Sequence, residues 1–381
     1  MYKRLLNLKA LLEKKSFFLF GPRSTGKTTL ITEQLPEASV YDLLDAEIFR
    51  KLLRRPALLE EENKDLNKPI VIDEIQKMPS LLDEVQRLML NQQRRFLLTG
   101  SSARKLKRGS ANLLAGRAWN AELFPLTSQE IPQFDLLTYL NHGGLPQVYS
   151  SVDAMEELNS YVSTYLYEEI QAEAATRQIS AFAEFLDLIA LTNGQEISFE
   201  GLARDSQVSP STIKNYLTIL EDTLLGFTVP GYTRTQKRKA ISRAKFYLFD
   251  IGVTNHLCRR SKIQEKSELF GLAFEHFIAL ELRAYISYRR LMKPLRYWRT
   301  TSQIEVDFII GDEVAIEVKS SHLVQDKHLQ GLRMLKEENI KPLIRYIVVS
   351  CDPKQRVTND GIEIYPWADF LEMLWKDQLC G

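Results

Sequence analysis

A chain of 381 residues, 44% apolar and 26% charged, has the balance of a globular protein and enough material for two or three domain cores. No apolar run approaches the ~20 residues of a membrane helix. Three scattered cysteines without a C-x-x-C pair, and five histidines without ligand spacing, speak against a disulfide framework or zinc site and fit a reducing cytoplasm. The net charge of +1 conceals an asymmetry: residues 231–300 carry 16 Lys or Arg against 5 Asp or Glu, which suits contact with a polyanion, or else a solvated basic surface.

The N-terminal stretch MYKRLLNLKALLEKKSFFLF is punctuated by lysines through Lys15, unlike a secretory signal. Its Leu5, Leu8 and Leu12 predict an amphipathic helix leading into a buried strand. Candidate strands follow at 16–20, 38–44, 68–74, 95–101 and 119–126, with helical stretches between them. The most apolar three, SFFLF, PIVID and FLLT, read as buried parallel strands, so a doubly wound α/β sheet is expected over residues 1–130. A helical connector at 131–165 contains the turn Gly143-Gly144-Leu145-Pro146. Residues 166–244 form a mainly helical second unit, and strands return from about 245 in a third unit, 245–381.

Gly21-Pro22-Arg23-Ser24-Thr25-Gly26-Lys27-Thr28, followed by Thr29, satisfies G-x-x-x-x-G-K-[ST] between a predicted strand and a predicted helix. Glycines let backbone N–H groups close around phosphates, and the helix that follows points its positive end at them. Lys27 suits the β/γ oxygens, and the Thr28 hydroxyl suits Mg²⁺, so ATP and Mg²⁺ are the expected cofactors. Asp73 and Glu74 end the strand of PIVIDE. Asp73 would complete the Mg²⁺ shell and Glu74 would polarise the attacking water, unless the pair merely caps the next helix. In FLLTGSS, Ser101 or Thr99 could sense the γ-phosphate. Arg117, in LLAGRA, is either an arginine finger for a neighbouring subunit, which requires a homo-oligomer, or a surface ion-pair partner.

GPRSTGKTTL, VIDEIQKMP, LLTGSSARKL, LLAGRA, FPLTSQE and GGLP occur in the order seen in a prokaryotic branch of AAA-type ATPases. The chain resembles that branch over nearly its whole length. The resemblance implies an AAA module followed by a C-terminal domain of unknown function.

EISFEGLARDSQVSPSTIKNYLTILEDTLL has a helix-turn-helix pattern, with Ser209 as N-cap, Pro210 at the first helical position and Ile213, Tyr216, Leu217 and Leu220 on a core face. GFTVPGY and KFYLFD would be the strands of a wing, giving a winged-helix-like domain. The acidic character of 151–210 favours a packing role for the helix over base reading. Between the strands lie Arg234, Lys237, Arg238 and Lys239, suited to gripping a nucleic-acid backbone.

In the last unit, Asp307 ends one apolar run, and Glu317-Val318-Lys319 ends a second one after the turn at Gly311-Asp312. This set resembles the PD-(D/E)xK nucleases, with Glu275 as the helical carboxylate and Glu281 as a second candidate. Asp307 and Glu317 would hold metal, and Lys319 would orient water or stabilise transition-state charge. Glu305-Val306-Asp307 stands where the nuclease pattern has Pro-Asp. Ahead of it, Arg289, Arg290, Lys293, Arg296 and Arg299 would suit a DNA groove, while Tyr297 and Trp298 read as core. The expectation is an ATPase that couples nucleotide state to DNA processing, cytoplasmic and without a membrane segment. Its alternative is a nucleotide-gated regulator whose nuclease-like domain is inactive and only binds DNA or protein.

Overall fold

The structure, a computed structural model, describes residues 2–101, 114–166, 179–234, 243–260, 262–340 and 345–379. Among the described residues no helix is long and apolar enough to cross a membrane.

Asn7 caps the first helix, α1 (Leu8–Lys14), by accepting the N–H of Ala10 at 3.0 Å. The helix therefore starts after Leu5, not at it. Five strands, β1 (Phe17–Phe20), β2 (Ser39–Asp42), β3 (Ile70–Asp73), β4 (Phe96–Gly100) and β5 (Trp119–Glu122), pair in the order β2-β3-β4-β1-β5, all parallel. Alternation sends Phe17 and Leu19 to one face, with α1 and α2 (Lys27–Gln34). Phe18 and Phe20 go to the other, against α3 (Leu81–Gln92). Cover on both faces explains why the central strands read as continuous apolar runs.

The middle unit packs α4 (Ile179–Leu191), α5 (Phe199–Asp205) and α6 (Pro210–Asp222) around Phe185, Ile213, Tyr216 and Leu220. Ser209 accepts the N–H of Thr212, and Pro210 takes the first helical position, as predicted. A hairpin of β6 (Gly226–Val229) and β7 (Lys245–Leu248) follows, antiparallel from Gly226↔Leu248 to Val229↔Lys245. Strand β7 begins at residue 245, where the third unit was expected to start, and pairs back onto β6.

After α7 (Ile251–Leu257) comes the long helix α8 (Glu268–Tyr288), 21 residues and so about 30 Å from end to end. The C-terminal sheet contains β8 (Leu295–Arg299), β9 (Glu305–Ile310), β10 (Val314–Lys319), β11 (Arg345–Ser350), β12 (Arg356–Val357) and β13 (Glu363–Pro366), in the order β12-β13-β11-β10-β9-β8. Helix α8 and the last helix, α9 (Trp367–Trp375), share one core with β9, β10 and β11.

The GGLP turn joins the units. Gly143 adopts φ 79°, and a Cβ there would lie 2.1 Å from Asp250 Oδ1 and 2.6 Å from the Gly252 nitrogen. Asp250 accepts the N–H of Gly144 at 2.7 Å and that of Val253 at 3.0 Å, so one carboxylate caps α7 and fixes the turn. Only glycine fits so close an approach at positive φ.

Candidate functional site

The phosphate loop leaves the C-terminal end of β1. Gly26 sits at φ 90°, and a Cβ on Gly21 would meet the Leu123 carbonyl oxygen at 2.5 Å. Lys27 is buried and donates to the carbonyls of Gly21 at 2.7 Å and Pro22 at 3.1 Å. Thr25 braces the loop by donating to Pro22 O at 2.9 Å. The Thr28 hydroxyl donates to Asp73 Oδ2 at 3.2 Å, and Asp73 Oδ1 accepts the hydroxyl of Thr99. Thr99 Oγ1 in turn accepts the Glu74 N–H at 3.1 Å. Thr99 is thus the polar group wired to the acidic pair, while Ser101 is buried one residue past β4. Glu74 is held at φ 60°, a left-handed conformation unfavourable for glutamate, with its carboxylate accepting from the Gln76 amide.

Arg4 was not legible as a functional residue, since it reads as the polar side of an amphipathic segment. Its guanidinium donates to Thr25 O at 2.7 Å, Phe124 O at 2.6 Å and the Tyr288 hydroxyl at 3.3 Å, and pairs with Glu130 at 2.9 Å. Both Arg4 and Glu130 are buried. One side chain therefore touches the phosphate loop, the strand exit after β5 and the C-terminal end of α8.

Arg117 lies at the opposite end of the sheet. The register Phe17↔Trp119 puts it beside the start of β1, and the phosphate loop follows the end of that strand, ~13 Å further on at ~3.3 Å per residue. It lines an open cavity of about 600 Å³ with Lys14, Lys15, Arg94 and Arg95, with no acidic residue among the described residues of the lining. This position is remote from the chain's own phosphate loop.

The C-terminal cluster forms where β9, β10, α8 and β7 meet. Between the pairs Arg296↔Ile309 and Trp298↔Val306, β8 has one residue and β9 has two. Asp307 sits in this bulge, a device that re-aims a side chain. Asp307 Oδ2 accepts the Val318 N–H at 2.7 Å, bringing it beside Glu317 and Lys319, which pair at 2.5 Å. Glu275 joins them, but through a cation: Lys245 Nζ lies 3.2 Å from Glu275 Oε1 and 4.0 Å from Asp307 Oδ1, and pairs with Glu305. Tyr247 donates to the same Glu275 oxygen at 2.7 Å. Burial pulls the Lys245 ammonium down, but the charges of Glu275, Tyr247, Asp307 and Glu305 outweigh it and hold it well above the ordinary lysine range. Burial, then the charge of Asp307, pushes Glu317 well above the usual carboxylate range against the pull of Lys319. Glu317 Oε2 is buried without a hydrogen-bond partner. Among the described residues no group of three or more His, Cys, Asp or Glu is disposed to hold a metal ion. The carboxylates are already engaged by two lysines and do not fit a divalent ion as they stand.

Glu281 does not join this cluster. Its carboxylate accepts the Ser128 N–H at 2.6 Å and the Trp375 indole N–H at 2.7 Å, tying α8 to the segment after β5 and to α9. The basic stretch is also spoken for. Arg289 pairs with Asp377 at 2.7 Å and Lys293 with Glu313 at 2.8 Å, while Arg234 and Arg296 share Asp312 at 2.8 and 3.8 Å. Arg299 pairs with Glu196 and Glu305, both at 3.4 Å, and Arg290 lies over the Trp119 ring at 4.9 Å. Tyr297 and Trp298 are fully buried, as expected of core residues. Lys237, Arg238 and Lys239 lie outside the described residues.

Residues 13–132 match the AAA domain family. The N-terminal unit is similar to AAA-type P-loop ATPase domains. Residues 133–265 and 270–370 match two further families, each described as a domain of unknown function (DUF8612 and DUF4143). The AAA domain is therefore one part of a three-part chain. An uncharacterized protein of Mycobacterium tuberculosis is 28% identical over 318 residues, spanning 79% of this chain and 69% of its own. One from Methanocaldococcus jannaschii is 24% identical over 406 aligned positions, 94% and 88% of the two chains. A crystal structure of a signal transduction ATPase with numerous domains, carrying a tetratricopeptide repeat sensor, from Pyrococcus horikoshii overlaps 73% of this chain at 16% identity. Its TM-score of 0.23 is too low to compare architectures. This chain spans about half the length of that protein, 49%.

Proposed function

We propose that this AAA-type ATPase hydrolyses ATP and passes its nucleotide state to the C-terminal unit. The observation that carries this reading is Arg4, which bonds the phosphate-loop carbonyl of Thr25 and the Tyr288 hydroxyl with one guanidinium. Lys27 exchanges the loop carbonyls for β/γ-phosphate oxygens. Thr28 and Asp73, 3.2 Å apart, are the donors that would hold Mg²⁺, which supplies charge neutralisation when bound. Glu74 receives the proton of the attacking water, and Arg117 of a second copy offsets charge on the transferring phosphoryl group.

For the C-terminal unit the geometry favours a nuclease-like PD-(D/E)xK arrangement that binds without cutting, because Lys245 and Lys319 neutralise its carboxylates. DNA is the partner favoured by the charge surplus of residues 231–300, with Lys237, Arg238 and Lys239 as backbone contacts. A second reading, DNA cleavage at Asp307, Glu317 and Lys319, is supported by the unpartnered Oε2 of Glu317.

The test measures ATP turnover of the wild type, Lys27→Ala and Glu74→Gln, with labelled single-stranded and duplex DNA present and absent. ATP turnover lost in both variants, DNA retained on the wild type and no Mg²⁺- or Mn²⁺-dependent cleavage are expected. Cleavage abolished by Asp307→Ala would replace the first reading with the second. Absence of ATP turnover in the wild type would refute the ATPase assignment.

A further inference from the structure

Strand β7 belongs to the middle unit by its pairing with β6 and by Phe246 and Leu248 in that unit's core, yet its alternate side chains reach the C-terminal unit. Lys245 and Tyr247, two apart and so on one face of the strand, both reach Glu275 Oε1, at 3.2 and 2.7 Å. The Lys245 side chain is only 4% exposed. Its ammonium also pairs with Glu305, lies 4.0 Å from Asp307 Oδ1 and sits 5.4 Å from the centre of the Tyr297 ring. Three carboxylates from α8 and β9 thus converge on one buried ammonium contributed by a different unit.

In the sequence Lys245 opens the predicted strand KFYLFD directly after a basic stretch. The fold removes it from that stretch and makes it the counter-charge of the acidic cluster. Glu275 and Asp307 are residues that the nuclease-like arrangement would turn toward a divalent ion. A divalent ion placed against the same oxygens would meet the buried Lys245 ammonium at contact distance, where like charges repel strongly. Without Lys245, Glu275 and Asp307 would lose the cation between them while Glu305 kept Arg299 at 3.4 Å, and a divalent ion would be the natural replacement.

We infer that Lys245 is the resident cation of this cluster: its ammonium stands in place of a divalent metal ion, and the C-terminal unit takes up no such ion while the β6–β7 hairpin is docked. This rests on the nuclease-like arrangement proposed above and is independent of ATP hydrolysis.

The test titrates full-length, nucleotide-free protein with Mn²⁺ and reads the free ion by electron paramagnetic resonance. The proteins are wild type, Lys245→Met and Lys245→Arg, each with and without Asp307→Asn. Wild type and Lys245→Arg should hold no Mn²⁺ that Asp307→Asn removes. Lys245→Met should gain one Asp307-dependent Mn²⁺, with affinity raised at least ~10-fold. An Asp307-dependent ion on the wild type overturns the inference, as does a Lys245→Met protein with a cooperative melt that gains none. If the cluster variants do not fold, Asp73→Asn on the wild type decides. Mn²⁺ that survives removal of the Asp73 carboxylate but is displaced by excess Mg²⁺ overturns the inference, and loss of all bound Mn²⁺ supports it. Absent ATP turnover in the same preparation bears on the proposed function alone.

Discussion

The guanidinium of Arg4 donates to the hydroxyl of Tyr288 at 3.3 Å, joining residues 284 apart in the chain. Tyr288 ends α8, the helix that carries Glu281 and Glu275 further back. Helix α8 thus carries the acidic-cluster residue Glu275 and the seam residue Glu281, and its C-terminal Tyr288 meets the phosphate loop through Arg4. Arg4→Met leaves Glu130 buried without its partner, and such a loss costs ~3–5 kcal/mol. Tyr288→Phe removes one hydrogen-bonding hydroxyl and should cost ~1 kcal/mol. Thermal melts test both, and Arg4→Met should also bind ATP more weakly because Thr25 O loses its brace.

Glu74 combines the proposed catalytic role with an unfavourable backbone. Glu74→Gly should lower ATP turnover by ~100-fold or more while leaving stability unchanged or raising it by about 1 kcal/mol through release of the left-handed strain. A variant less stable than wild type by more than that margin would show that φ 60° carries no strain.

Arg117 lies at the end of the sheet opposite its own phosphate loop. Arg117→Ala should reduce kcat by ~10³-fold with ATP affinity retained. Mixing it with Lys27→Ala should restore part of the turnover, since each variant supplies what the other lacks. Failure of the mixture to recover any activity counts against action between subunits.

Glu281 gives the fold a pH dependence of definite sign. Burial pushes its carboxyl up from 4.5 to about 7, against the pull of the Ser128 and Trp375 donors. The folded state then holds a proton that the unfolded state releases between pH 4.5 and 7. Stability from this group is present at the acid end and falls as pH rises through that window, by up to about 3 kcal/mol. Denaturant titrations of the wild type and Glu281→Gln should diverge across that interval, with the flatter profile in the variant.

Gly143→Ala places a methyl against Asp250 and the Gly252 nitrogen at positive φ. A loss of at least about 2 kcal/mol is expected from strain and the disturbed cap, read as a lowered unfolding midpoint. Gly116 also has positive φ but has no described residue within 4 Å of the site of a Cβ, so Gly116→Ala is the control and should lose less.

Local signals settled the AAA unit in advance. A phosphate loop needs glycines, a lysine and a hydroxyl in one short run, and a strand covered on both faces must be apolar throughout. Both constraints are contiguous, so Gly21–Thr28, Asp73, Glu74 and four-residue strands such as Ile70–Asp73 could be read directly. The cap at Ser209 and the core face of α6 were legible for the same reason. Charge was not, because a side chain's partner is chosen in space. The basic run from Arg289 to Arg299 resembles a DNA groove until Asp377, Glu313, Asp312 and Glu196 arrive from elsewhere to pair with it. Glu281 carries the right charge on the right helix, but its position along α8 turns it into the seam with Ser128. Arg4 and Lys245 gain their roles only when three units close around them. The β9 bulge that aims Asp307 leaves no mark in composition, since it arises from pairing six residues of β9 against five of β8. The sequence determined which chemistry the chain could carry; tertiary packing decided which charges stay available for it, because ion pairing in a buried site depends on distance across the fold and not along the chain.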